Sequence, residues 1–129
     1  MKTLIVIILS TVIAGCSLFP QPYDNNEYQN AVNVYVELEA LRVSCDTKIV
    51  APQDLQGVLI TSRVFKTYTK FTPDNDAVNT VAETVHDDIL EMISYYTHTP
   101  HNAKYCEIKT ILMIKKMEAI LEVIPQKTR

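Results

Sequence analysis

From residue 27 onward, apolar side chains return every three or four positions, the spacing of helices that bury one face. Ala31, Val34, Leu38, Leu41 and Cys45 form the first such face and predict a helix over residues 27–45. Pro52 suits a first helical position. Leu55, Val58, Leu59 and Phe65 after it predict a second helix over residues 52–69. Gly57 weakens this helix by about 1 kcal/mol relative to alanine. A third helix begins after Thr72-Pro73-Asp74, where Asp74 or Asn75 can cap it and Asp76 favours the positive end of the helix dipole. Its stripe is the longest in the chain: Val78, Val81, Ala82, Val85, Ile89, Met92, Ile93 and Tyr96. A fourth helix starts near Asn102 and stops before Pro125, with Cys106, Met113, Met117, Ile120 and Ile124 on one face. The glycines are Gly15 and Gly57, and no Asn-Gly or Asp-Gly hairpin turn occurs. The many Val, Ile and Thr residues pull toward strand, but the period is helical. The expected fold is all-α, a small antiparallel four-helix bundle over residues 27–129, because short links make consecutive helices neighbours.

Two helices carry more apolar surface than one core face needs. At ~100° per residue, Val32, Val36 and Val43 fall roughly 150° from the core stripe of the first helix. On the fourth helix Ile108, Leu112, Ala119 and Val123 form a second line, also far around from its core stripe. Either the two helices are central and flanked on both sides, or Val32, Val36, Val43, Ile108, Leu112 and Val123 line an apolar groove that takes an amphipathic partner helix.

The chain ahead of the bundle has a different pattern. Lys2 is followed by a ten-residue apolar run from Leu4 to Ile13 and then Ala14-Gly15-Cys16. This is the layout of a secretory signal peptide, and the run is shorter than the ~20 residues a spanning helix requires. Ile13-Ala14-Gly15-Cys16 resembles the bacterial lipobox. The resemblance implies removal of residues 1–15 and lipid on the sulfur and new amino group of Cys16, against the plainer alternative of an ordinary signal peptide whose Cys16 enters a disulfide. Each buried CH₂ contributes ~0.8 kcal/mol, so a triacylated cysteine holds a protein firmly to a membrane. Ser17 rather than aspartate at the next position implies, by the same resemblance, sorting to the periplasmic face of the outer membrane. Residues 16–26, with Pro20, Pro22 and Asp24 and no apolar period, are expected to be a lipidated flexible tether.

Three cysteines are an odd count for an exported protein. Lipidation of Cys16 leaves Cys45 and Cys106, which are expected to bond in an oxidising compartment, the alternative being two free buried thiols. Cys45 ends the first helix and Cys106 begins the fourth, and antiparallel neighbours bring those ends together.

Composition changes the picture mainly by exclusion. The net charge is −3 and no basic run or basic patch with interleaved aromatics is present, so nucleic acid is not an expected partner. His98 and His101 flank Thr99-Pro100, downstream of His86-Asp87-Asp88, but without a usual zinc-ligand spacing they read as loop histidines, and no metal is expected. No nucleophile elbow, phosphate-cradling glycine loop or paired-carboxylate motif occurs, so neither an enzyme nor a cofactor is expected. Asp87, Asp88 and Glu91 read as a polar helix face, and Tyr95-Tyr96 as cover for the end of the bundle.

Taken with Cys16, the segments Leu38-Glu39-Ala40-Leu41-Arg42-Val43-Ser44-Cys45-Asp46 and Lys104-Tyr105-Cys106-Glu107 resemble the helical-bundle pilotins of type II secretion systems: short lipoproteins with a tether, four helices and one disulfide between the first and last. The resemblance lies in architecture and cysteine placement. It implies that the protein binds a C-terminal helix of a secretin subunit in its groove and delivers it to the outer membrane. The competing expectation is a phage- or plasmid-encoded envelope lipoprotein, serving superinfection or entry exclusion or acting in lysis as an outer spanin.

Overall fold

A computed structural model describes residues 23–127. The expected signal peptide, Cys16 and the tether up to Pro22 lie outside the described residues.

Four α-helices follow one another: α1 (Asn25–Thr47), α2 (Gln56–Lys70), α3 (Asp76–His98) and α4 (Ala103–Val123). Short 3₁₀ turns at Pro52–Leu55 and Ile124–Gln126 complete the chain, and no strand occurs among the described residues. Each helix packs on its neighbours in sequence, and α4 closes back on α1, the most extensive pairing of the four. The result is the expected four-helix bundle.

The helix starts are set by local chemistry. Asp24 caps α1 by accepting a hydrogen bond from the Asn26 amide at 2.9 Å, so α1 begins inside the stretch expected to be tether. A lone aspartate among prolines and asparagines reads as loop in sequence, yet it is among the best N-capping residues. Asn102 caps α4 through the Tyr105 amide at 3.0 Å. Pro52 opens a 3₁₀ turn rather than α2 itself. Asp54 folds back to accept from the Ala51 amide at 2.8 Å, and the α-helix starts at Gln56. Left-handed Asp74 (φ 51°) turns the chain from α2 into α3, a conformation that aspartate tolerates better than most residues.

The core is made of the stripes expected from sequence. Leu38 of α1, Phe65 of α2, Ile89 and Met92 of α3, and Met113 and Met117 of α4 are all fully buried. Cys45 and Cys106 form a disulfide with Cα atoms 5.6 Å apart, tying the end of α1 to the start of α4 inside the core. His101 packs at this junction, with Nε2 3.2 Å from the Cys45 carbonyl and its ring stacked on Tyr96.

Periodicity did not flag the buried polar groups. Ser62 of α2 lies 2.9 Å from His86 Nδ1 of α3. Burial, with Lys66 second, holds the His86 imidazole below its usual pKa. At the other end Glu27, 1% exposed, accepts two hydrogen bonds from Lys127 at 3.0 and 3.2 Å. Asn75 completes the cluster, donating to Glu27 and accepting from Lys127. A buried carboxylate survives only with such partners, since desolvation otherwise costs several kcal/mol.

Candidate partner-binding surface

The second stripe of α1 faces away from the core. Val36 and Val43 are 57% and 59% exposed, and Val32 is half-buried. Asn33 is one turn from Val36 on the same side of α1. It lines a shallow depression of about 100 Å³ together with Asn30 and with Ile60, Thr61 and Val64 of α2. Ile60 and Val64 are themselves open to solvent, at 59% and 50%. Ile60 and Val64 of α2 thus add exposed apolar surface at the α1–α2 boundary, and Val36 is exposed on α1 one turn from Asn33. Sequence reasoning missed the α2 surface. Its signal was present, Ile60 and Val64 being one turn apart and off the Val58–Ser62–Phe65 core line, but the short helix hid it.

Glu37 of α1 reaches across to α2 at Gly57, with its Oε2 2.9 Å from where a Cβ would stand.

The second stripe of α4 goes elsewhere. Ile108, Leu112 and Val123 are exposed, Leu112 at 51%. Leu112 lies about one turn from both Lys109 and Lys116, and both lysines pair with Asp88 of α3, at 3.8 and 2.7 Å. Lys109 also reaches Glu91 of α3 at 2.9 Å. The α4 stripe thus leans toward α3, away from α1. Between the two stripes runs the α1–α4 seam, lined by Glu39, Arg42, Lys115 and Glu118 around Ile111 and Ile114. Toward the disulfide the seam holds Val43 beside Arg42, Asp46 and Glu107. Of the six residues expected to share a groove, Val43 borders this charged α1–α4 seam, while Val36 and Leu112 are not among the residues that line it.

Of the histidines and tyrosines singled out in sequence, His98 is exposed at the end of α3, while His101 and the tyrosines pack at the disulfide end. Tyr95 stacks on Tyr105 with ring centroids 3.9 Å apart, and Tyr96 meets Tyr105 edge-on, covering the disulfide end of the bundle. The Tyr96 hydroxyl donates to the Asn102 carbonyl at 3.3 Å. Among the described residues no group of three or more His, Cys, Asp or Glu side chains is placed to hold a metal ion, and no helix is long and apolar enough to cross a membrane.

A concavity of about 700 Å³ lies at the opposite end, where the chain enters α1. Tyr23, Asp24, Tyr68, Phe71, Pro73 and Lys127 are among its walls. Tyr68 donates to the Asp24 carboxylate across the α1–α2 boundary. That bond holds Asp24 below the usual carboxylate range and raises the Tyr68 phenol. Phe71, the residue after α2, is 78% exposed. No protein family, curated protein or solved structure matches this chain.

Proposed function

We propose that this protein is a lipid-anchored binding module of the bacterial envelope, held through Cys16 on the periplasmic face of the outer membrane. In this reading it docks an amphipathic partner helix and catalyses nothing. The observation that carries the binding half is the apolar surface of Val36, Ile60 and Val64. These β-branched side chains are exposed, Ile60 and Val64 one turn apart on α2 beside Asn30 and Asn33 of α1, a surface a helix can lie along with anchors at i, i+3 and i+4. The pilotin resemblance supplies the partner: a C-terminal segment of a secretin subunit that orders on binding. Ordering entropy keeps such affinity moderate, which suits a carrier that must release its cargo. The lipid supplies location and the face supplies selectivity.

Two experiments test the two halves. Labelled palmitate should enter the wild-type protein and not Cys16→Ala; label in the variant removes the anchor. A photo-crosslinking residue at position 60 or 36 should trap a secretin subunit in the producing cell, and one at position 112 should not. Equal trapping at all three positions, or trapping at 112 alone, removes the α1–α2 face as the docking site.

A further inference from the structure

The end of the bundle where the chain enters α1 carries aromatic surface that the binding reading does not use. Tyr23 and Phe71 border one concavity, with Pro73 beside them. Phe71 is more exposed than any residue of the partner face. It gains nothing from core packing, because the loop of Phe71–Asn75 carries it past the last turn of α2. Phenylalanine and tyrosine rings at a protein surface suit the boundary of a bilayer, where an apolar ring body meets acyl chain and a phenol meets headgroup.

The place where the chain enters the fold identifies what covers these rings. Six residues lie between Cys16 and Tyr23, so seven residue-to-residue steps join them. At ~3.6 Å per fully extended residue they span no more than about 25 Å. Tyr23 is thus kept within that distance of any lipid carried by Cys16, and Phe71 borders the same concavity as Tyr23. The far end of the bundle, where Ile49 is 79% exposed, lies a further ~35 Å away along the 23 residues of α1. Two ends with equally exposed apolar residues therefore differ in what they can reach. The rings, rather than net charge, make the contact: Lys70 precedes Phe71, but Asp74 follows in the turn and Asp76 opens α3.

We propose that the Tyr23–Phe71 end docks against the membrane that holds the anchor. The bundle then stands on its end, and the α1–α2 face points sideways, free for a partner. This rests on the lipid-anchor reading of Cys16.

The chain contains no tryptophan, so one introduced indole reports on one position. Phe71→Trp, Ile49→Trp and Val36→Trp are expressed with the native leader and extracted from membranes. Each is reconstituted in vesicles of phosphatidylethanolamine and phosphatidylglycerol with a brominated-chain phosphatidylcholine. Mass spectrometry of the extracted protein establishes whether Cys16 carries lipid. Phe71→Trp should be quenched severalfold more by the brominated chains than the other two and shielded from aqueous iodide, with little change in high salt. Lipidated protein whose three indoles are quenched alike, or Val36→Trp more than Phe71→Trp, overturns end-on docking and leaves the anchor intact. Protein without lipid on Cys16 overturns the anchor, and this proposal with it.

Discussion

Reducing the Cys45–Cys106 bond tests the architecture most directly. The two cysteines are 61 positions apart and both buried. In the native bundle the bond joins helices that already pack together, so its main effect falls on the unfolded chain. Closing a loop of about 60 residues removes roughly 4 kcal/mol worth of denatured-state entropy at room temperature. A small domain has only ~5–15 kcal/mol of stability, so the loss is large. At ~4–8 °C per kcal/mol for a domain near this size, Tm should fall by roughly 15–30 °C. Far-ultraviolet circular dichroism melts with and without a phosphine reductant measure this. Reduction is the cleaner perturbation, because Cys45→Ala with Cys106→Ala also deletes two sulfur atoms from the core and adds cavity cost. Urea titrations supply an independent check: freeing the loop exposes more surface on unfolding, so the denaturant slope should rise on reduction. A reduced protein melting within about 5 °C of the oxidised one, with an unchanged slope, would refute the reasoning. It would mean that the unfolded chain is already compact or that the bond strains the native state.

Other consequences follow from the same packing. Lys127→Met strands the Glu27 carboxylate in the core and should cost about 3 kcal/mol by urea titration; a cost under about 0.5 kcal/mol would show that water reaches Glu27. Burial depresses the His86 pKa below its ordinary 6.5. The unfolded state therefore binds the proton first, and stability present above pH 6.5 should be lost as pH falls from there through the folded-state pKa. His86→Gln should flatten that part of the pH–Tm curve, and an unchanged slope sinks the assignment. Gly57→Ala should raise stability by ~0.5 kcal/mol in thermal melts, because the Glu37 carboxylate beside it ends a flexible side chain and can swing aside. Val36→Asp and Leu112→Asp should each leave Tm within the ~0.5 kcal/mol expected of surface changes, since both side chains are more than half exposed; unfolding by either would make its stripe part of the core.

The sequence alone determined the parts that rest on near neighbours in the chain. A 3.6-residue period marks a helix whatever it packs against, so the four helices and their core faces were legible down to Leu38, Ile89 and Met117. The cysteine count and the helix ends in which they sit pointed to one bond, and Cys45–Cys106 is that bond. The caps were half-legible: the fourth helix starts at Asn102 as expected, Asn75 stands at the N-cap position of α3 but turns its side chain to Glu27 and Lys127, and Asp24 was hidden in a stretch that looks like linker. What only the tertiary structure decided is direction around each helix axis. Stripe angles measured within one helix do not say which neighbour lies beside the stripe. Lys109 and Lys116 pair with α3 and turn the Leu112 stripe that way, while Asn30, Asn33 and Glu37 are the residues of α1 that border α2. Along the α1–α4 boundary, where a groove was expected, lie Glu39, Arg42, Lys115 and Glu118, with Val43 at one end, and Ile60 and Val64 of α2 add exposed apolar surface that the sequence reading did not flag. The Glu27–Lys127 pair joins positions 100 residues apart, and Phe71 gains its meaning only from standing beside Tyr23, where the chain enters the fold. No local pattern encodes such contacts, because they depend on the order in which the helices close the bundle.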